Sequence, residues 1–156
     1  MEEVAGILLV QPFTNNTAYL LLAVDDDVQV LHLVRRTLET EGYRVITADS
    51  GEAAVAAFEQ QPPDLVVLDI KMPGLNGYQV LERIRETSNV PVIMLTAVRE
   101  ETAMERSLGL GANDYIIKPV SIKVFIARVK AKLRRADLGR PQPQTGDQLE
   151  NKGTPS

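Results

Sequence analysis

Hydrophobic positions along this chain follow two alternating rhythms. Four short runs are apolar nearly throughout: Leu20 to Val24, Leu65 to Leu68, Val90 to Leu95 and Tyr115 to Ile117. Such runs describe strands covered on both faces by other elements. A fifth run, Tyr43 to Ala48, alternates more. Between the runs, apolar residues recur at helical spacing. Val28, Leu31, Val34 and Leu38 make one face, closed by Gly42. Ala53, Ala54, Ala57 and Phe58 make a second helix, capped by Ser50 and stopped by Pro62-Pro63. Tyr78, Leu81 and Ile84 mark a third, and Glu100 to Leu108 a weaker fourth ending at Gly109 and Gly111. Ile122, Phe125, Ile126, Val129 and Leu133 predict a long fifth.

Five βα units within residues 19–136 predict an α/β fold. The expected architecture is a doubly wound parallel sheet with right-handed crossovers, helices on both faces and strand order 2-1-3-4-5. Its ligand crevice opens at the carboxyl ends of strands 1 and 3, where the winding reverses. Residues 1–18 form an N-terminal extension. There Ile7-Leu8-Leu9-Val10 could add a strand or pack on the surface, before Asn15-Asn16 breaks the run. Residues 137–156 carry Pro141, Pro143, Pro155 and three glycines with almost nothing apolar. That composition predicts a flexible tail or interdomain linker without a core.

Composition narrows the chemistry. The 156 residues include no cysteine and one histidine, with 17 basic and 21 acidic side chains for a net charge of −4. A disulfide framework, a thiolate nucleophile and a cysteine-ligated metal are excluded, and any metal should be held by oxygen. The start Met1-Glu2-Glu3 lacks the basic region of a secretory signal, and no apolar run is long enough to span a bilayer, which predicts a cytoplasmic protein. The mild net charge conceals a division. Residues 19–120 hold nine bases and sixteen acids, whereas residues 121–136 hold six bases and no acid.

The residue following each strand carries the candidate chemistry. Strand 1 runs into Asp25-Asp26-Asp27, strand 3 into Asp69, strand 4 ends at Thr96, and strand 5 runs into Lys118-Pro119. With strands 1 and 3 adjacent, Asp25, Asp26 and Asp69 should converge. Carboxylates roughly 4 Å apart repel by about 4 kcal/mol per pair at an effective dielectric near 20, so such a group recruits a cation or a proton. Oxygen ligands alone point to Mg²⁺. Asp69 can attack an electrophilic phosphorus to form an acyl phosphate, with Lys118 and Thr96 placed to meet the phosphoryl oxygens.

The segments LLAVDDD, VVLDIKMPGLNGYQVL, VIMLTA and GANDYIIKPV, in this order across residues 19–136, resemble the response-regulator receiver domain of two-component signalling. The resemblance implies a flavodoxin-like (βα)5 fold and a phosphorylation-activated switch, not an enzyme with external turnover. It implies that Asp69 is the phospho-acceptor, Asp26 a direct Mg²⁺ ligand, and Asp25 a contributor through water or the ion. Lys71 would lend its backbone carbonyl to the metal. Thr96, Lys118 and the Ala97 amide would bind the phosphoryl group, Tyr115 would be the aromatic switch, and Lys118-Pro119 would be cis. The implied partners are a sensor histidine kinase and a DNA-binding output domain beyond the tail, with no direct nucleic-acid or membrane binding by this chain. Receivers of winged-helix regulators also dimerise through helix 4, strand 5 and helix 5. Asp114 and Arg128 resemble a salt-bridging pair of that face, although Met104 and Val124 stand where a charged pair is usual.

Plainer readings stand beside these. Asp27 is expected to cap the first helix, and His32, off the apolar stripe, to be solvated. Tyr115 could equally be a rigid filler of the sheet edge. The cations of helix 5 could simply complement its dipole. A haloacid-dehalogenase-type phosphatase would need a further acidic pair on a strand beyond Lys118, where the chain has a basic helix and the Pro/Gly tail. An FMN binder would want a Ser/Thr/Gly phosphate loop where three carboxylates follow strand 1.

Overall fold

The computed structural model describes residues 18–139. The expectations for the leader and most of the tail therefore fall outside the described residues. Five strands, β1 (Leu20–Val24), β2 (Arg44–Ala48), β3 (Leu65–Leu68), β4 (Val92–Thr96) and β5 (Asp114–Ile117), alternate with five helices. These are α1 (Val28–Thr40), α2 (Gly51–Gln60), α3 (Gly77–Arg85), α4 (Glu101–Gly109) and α5 (Ile122–Leu138). The strands are parallel in the order β2-β1-β3-β4-β5, which is the predicted 2-1-3-4-5.

Alternate residues of each central strand enter opposite layers. Leu22, Val24, Val66, Leu68, Val92 and Met94 pack against α2, α3 and α4. Leu21, Ala23, Leu65, Val67, Ile93 and Leu95 pack against α1 and α5. A strand with a helix on each face needs no polar side, which is why β1, β3 and β4 read as unbroken apolar runs. At the outer edge, β2 is only half-buried and alternates accordingly.

Two elements differ from expectation. Read as covered on both faces, β5, at the edge where the predicted order puts it, is only half-buried except at Ile116. The fifth helix continues to Leu138 and so passes the predicted domain boundary at residue 136. Its last turn is tied down because the Tyr19 hydroxyl donates to the Asp137 carboxylate, joining the start of β1 to the end of α5.

Helix starts are set locally. Asp27 caps α1 as expected, accepting from the Gln29 and Val30 amides, and Ser50 caps α2 through the Ala53 amide. Asn76 and Gln79 form a reciprocal capping box on α3, which fixes where the loop after Asp69 turns into helix.

Candidate functional site

The carboxyl ends of β1 and β3 lie side by side, with Val24 in register with Leu68. The next residue on each strand is therefore an aspartate facing its counterpart, and the Asp69 amide donates to the Val24 carbonyl at 3.1 Å. Carboxylate oxygens of Asp25, Asp26 and Asp69 all lie within 4.8 Å of one another. Asp25 and Asp69 are 4% and 7% exposed, so both are largely removed from water, whereas Asp26 faces solvent. Asp25 Oδ1 accepts from the Asp27 amide at 2.9 Å, and Asp69 Oδ1 accepts from the Ile70 amide at 2.7 Å. These bonds hold both carboxylates at fixed angles.

The end of β5 supplies the opposing charge. Lys118 Nζ lies 2.9 Å from Asp25 Oδ2 and 3.8 Å from Asp69 Oδ2. Burial pushes the Asp69 carboxyl above the usual value, with the Asp25 charge adding to the rise. Hydrogen bonding from Thr96, the Lys118 ammonium and the Ile70 amide pull the other way without overcoming it. The peptide bond between Lys118 and Pro119 is cis, as the resemblance implied.

Thr96 is buried at the end of β4, and its Oγ1 accepts from the Val98 amide at 3.3 Å. Tyr115 donates its hydroxyl to the carbonyl of the same residue, Val98, at 2.7 Å. Burial, and then the nearby Tyr78, Glu100 and Asp69, raise the Tyr115 phenol above its usual value, so it remains a donor. Both side chains thus grip one short loop after β4. Lys71 has an exposed side chain and lines a cleft of about 530 Å³ beside the acids, with Asp26, Met72, Asn76, Tyr78 and Val98 on its walls.

The donor set suits Mg²⁺. Octahedral coordination at about 2.1 Å places ligand oxygens about 3 to 4.2 Å apart, so the three acids need contract only slightly to share one ion. They are hard oxygen donors, and two of them are largely buried. The residues that would hold it are Asp25, Asp26 and Asp69, with the Lys71 carbonyl two positions beyond Asp69.

The proposed face pair, Asp114 and Arg128, is joined within the chain: Arg128 Nη1 lies 2.8 Å from Asp114 Oδ1. Lys132 approaches the other oxygen of Asp114 at 3.5 Å. Met104 and Val124 are exposed, and His32 is exposed beside Arg35.

Sequence reasoning missed Gly77. A Cβ at this position would lie 2.1 Å from the Asp69 carbonyl oxygen and 2.7 Å from Ile70 Cα, so only glycine lets α3 start against the backbone of the Asp69 loop. Glu52 was missed as well: its carboxylate accepts from the Leu75 amide at 3.2 Å and steadies the same loop. The Asn76…Gln79 spacing was the available signal for a helix start at this point.

An open parallel sheet with an acidic crevice at its winding reversal and an ammonium group across it defines a doubly wound α/β domain with a charged site at the carboxyl edge of its sheet. The family profile of the response regulator receiver domain matches residues 21–130, and the chain belongs to that family. Among its relatives, the probable transcriptional regulator ycf27 of Pyropia yezoensis is 45% identical over 117 residues, spanning 75% of this chain and 48% of the relative. The alkaline phosphatase synthesis transcriptional regulatory protein PhoP of Bacillus subtilis is 42% identical over 132 residues, spanning 83% and 55%. The chain thus spans about half the length of these relatives. A CheY-like receiver domain protein from Methanospirillum hungatei superimposes with a TM-score of 0.74 at 31% identity, over 77% of this chain and 97% of that one. The BeF3-activated N-terminal receiver domain of Klebsiella pneumoniae RstA gives 0.71 at 31% identity, over 74% and 98%. Among the described residues, no helix is long and apolar enough to cross a membrane.

Proposed function

We propose that this domain is the phosphorylation-operated switch of a two-component system, with Asp69 as phospho-acceptor. What supports the reading most directly is the meeting of Asp25, Asp26 and Asp69 within 4.8 Å, opposite Lys118. A carboxylate oxygen of Asp69 attacks the phosphorus of a phosphohistidine on a sensor kinase. The P–N bond breaks, its electron pair stays on the imidazole, and an acyl phosphate remains on Asp69. Bound Mg²⁺ would offset the negative charge that three acids and a phosphoryl group bring together. Lys118 follows the transferred oxygens as its partner changes from carboxylate to phosphoryl. Thr96 turns its hydroxyl toward the same oxygens, beside the Ala97 amide. That turn breaks its bond to Val98, and Tyr115, held to the same residue, passes the change to the α4, β5 and α5 face.

The domain acts on itself and not on an external substrate, so it is a switch and not an enzyme. A homodimer through α4, β5 and α5 would require Arg128 to exchange its bond to Asp114 for one across the interface. The relatives, of which the matched segment spans only about half, are transcriptional regulators by name, which favours a DNA-binding output domain beyond the tail.

Acetyl phosphate in Mg²⁺ should add one phosphoryl group to the wild-type chain and none to Asp69→Asn, read by intact mass. Equal labelling of both rejects Asp69. Millimolar Mg²⁺ should also raise the melting temperature of the wild type but not of Asp26→Asn; an unchanged response in the variant removes Asp26 from the metal set.

A further inference from the structure

The loop that follows Asp69 carries the Lys71 carbonyl, one of the groups that would hold Mg²⁺, and its segments are fixed by different means. At its start, the Asp69 amide donates to the Val24 carbonyl, and the buried Met72 enters the core. At its end, the Gly77 amide donates to the Ile70 carbonyl at 2.8 Å, which closes residues 70–77 into a compact turn of chain. Among the described residues, the stretch 71–75 makes a single hydrogen bond: the Leu75 amide donates to Glu52 Oε2 at 3.2 Å.

Glu52 reaches that amide because α2 begins against the loop backbone. A Cβ on Gly51, the first residue of α2, would lie 2.2 Å from the Leu75 carbonyl oxygen. Gly74 has a φ of +73°, and a Cβ there would lie 2.5 Å from Glu52 Oε2. Gly51 thus leaves room for the approach of the two backbones, and Gly74 leaves room for the carboxylate. Glu52 is itself exposed and stands outside the cluster formed by Asp25, Asp26 and Asp69. Any influence it has on that cluster passes through the loop.

We propose that Glu52 is a positioning residue for the metal site: it holds Leu75, and through it the loop that presents the Lys71 carbonyl, in the arrangement that accepts the ion. The proposal rests on the Mg²⁺ reading given above. An ion that demands near-ideal octahedral geometry is sensitive to the placement of every ligand. With the latch cut, residues 71–75 sample further arrangements, and the apparent affinity falls with the fraction of molecules still poised for binding. Loss of one net hydrogen bond lowers that fraction by up to about fivefold, so a change of about threefold is the expected size.

The test uses the 156-residue chain with Mn²⁺ as the probe, since it shares the octahedral oxygen preference of Mg²⁺ and its free form is counted by electron paramagnetic resonance. Salt at about 0.15 M screens the change of charge at position 52. Glu52→Ala removes the acceptor, whereas Glu52→Gln keeps an acceptor oxygen for the Leu75 amide and loses the same charge. Mn²⁺ binding that Mg²⁺ displaces should weaken about threefold in Glu52→Ala and match wild type in Glu52→Gln. In EDTA, the Leu75 amide should exchange with D2O about threefold faster in Glu52→Ala than in the other two proteins, read by NMR. Equal Mn²⁺ affinity in Glu52→Ala and wild type overturns the proposal, and so does an unchanged Leu75 exchange rate. A loss in Glu52→Gln as large as that in Glu52→Ala also overturns it and assigns the effect to charge. If Asp26→Asn binds Mn²⁺ as tightly as wild type, the metal assignment fails and takes this proposal with it. Binding that depends on Asp26 but not on Glu52 sinks the role of Glu52 alone.

Discussion

Replacing Asp69 by asparagine should stabilise the metal-free domain, although it removes the group on which the proposed function depends. Two charge interactions act on Asp69 from opposite directions. Lys118, 3.8 Å away, attracts it by about 4 kcal/mol at an effective dielectric of 20. Asp25, with an oxygen within 4.8 Å, repels it by about 3.5 kcal/mol on the same scale. These nearly cancel, and burial, which disfavours the charge, outweighs the hydrogen bonds from Thr96 and the Ile70 amide that favour it. Asparagine keeps the shape and the acceptor for the Ile70 amide, while removing the desolvated charge. A buried polar group whose desolvation is not fully compensated costs about 1–3 kcal/mol, so its removal should stabilise by an amount in that range. For a domain of this size that corresponds to a rise in melting temperature of about 4 °C per kcal/mol.

The pH dependence follows from the direction of the shift. A carboxyl whose native value lies above its ordinary 3.8 binds its proton more tightly folded than unfolded. Its contribution to stability is present below that ordinary value and is lost as pH rises through the native one. Melting curves in EDTA should therefore show the variant above wild type at neutral pH, with the gap closing as the pH falls into the acidic range. Added Mg²⁺ narrows the gap at neutral pH, because an ion at ten times its dissociation constant adds about 1.4 kcal/mol to the protein that binds it. A variant that melts below wild type in EDTA at neutral pH refutes the balance drawn here, since it means that Lys118 more than compensates for burial.

Lys118→Met should lower stability by about 3 kcal/mol, because it leaves the buried Asp25 without its counter-charge, and denaturant melts would detect it. An unchanged midpoint would show that Asp25 is neutralised by other means. Gly77→Ala should cost about 2 kcal/mol or more through the Cβ collision with the Asp69 carbonyl, and a melting temperature equal to wild type would disprove that close approach. Tyr43, buried beside Glu41 and Tyr19, has its phenol pushed up to about 12. The unfolded phenol ionises near its ordinary 10.0, so stability should fall between that pH and about 12, by roughly 2–3 kcal/mol from this group. Tyr43→Phe should flatten the decline, and an unaltered slope would exclude Tyr43 as its source.

Most of the fold was legible because burial on two faces leaves a plain mark. Leu65 to Leu68 and Val92 to Thr96 have no solvent side, so their runs could not be mistaken for amphipathic strands. The acids were legible for a related reason, since an aspartate directly after a buried strand must emerge at the sheet edge. What escaped depends on contacts between segments distant in sequence. The apolar run Tyr115 to Ile117 carries no sign that β5 is only half-buried, although the predicted strand order already places it at the edge. The extension of α5 to Leu138 rests on Asp137 meeting Tyr19, 118 positions away. Gly77 is needed only because α3 starts against the Asp69 backbone, and the sequence shows the glycine without the collision it avoids.

The segregation of charge gains a structural meaning from these contacts. Helix α5 looked like a uniformly basic surface, but three of its cations are committed. Arg128 and Lys132 share Asp114 on β5, and Lys130 lies 3.0 Å from Glu41 just after α1. The Arg128 and Lys130 side chains are exposed, and pairs of that kind stabilise by less than about 1 kcal/mol each, so they do not explain why the helix is basic; Lys132 with Asp114 is the more buried pair. Their placement does more. Asp114 also accepts from the Tyr115 amide at 2.8 Å, Tyr115 donates to Val98, and Val98 donates to Thr96. A continuous series of polar contacts therefore runs from Thr96, beside the acidic pocket, to the cations of α5. Because Asp114 holds two of those cations and the Tyr115 backbone together, a displacement of Tyr115 must either carry α5 with it or release Arg128 and Lys132 to solvent. Either outcome changes the same surface, and that requirement makes β5 the element on which the site and the basic helix meet.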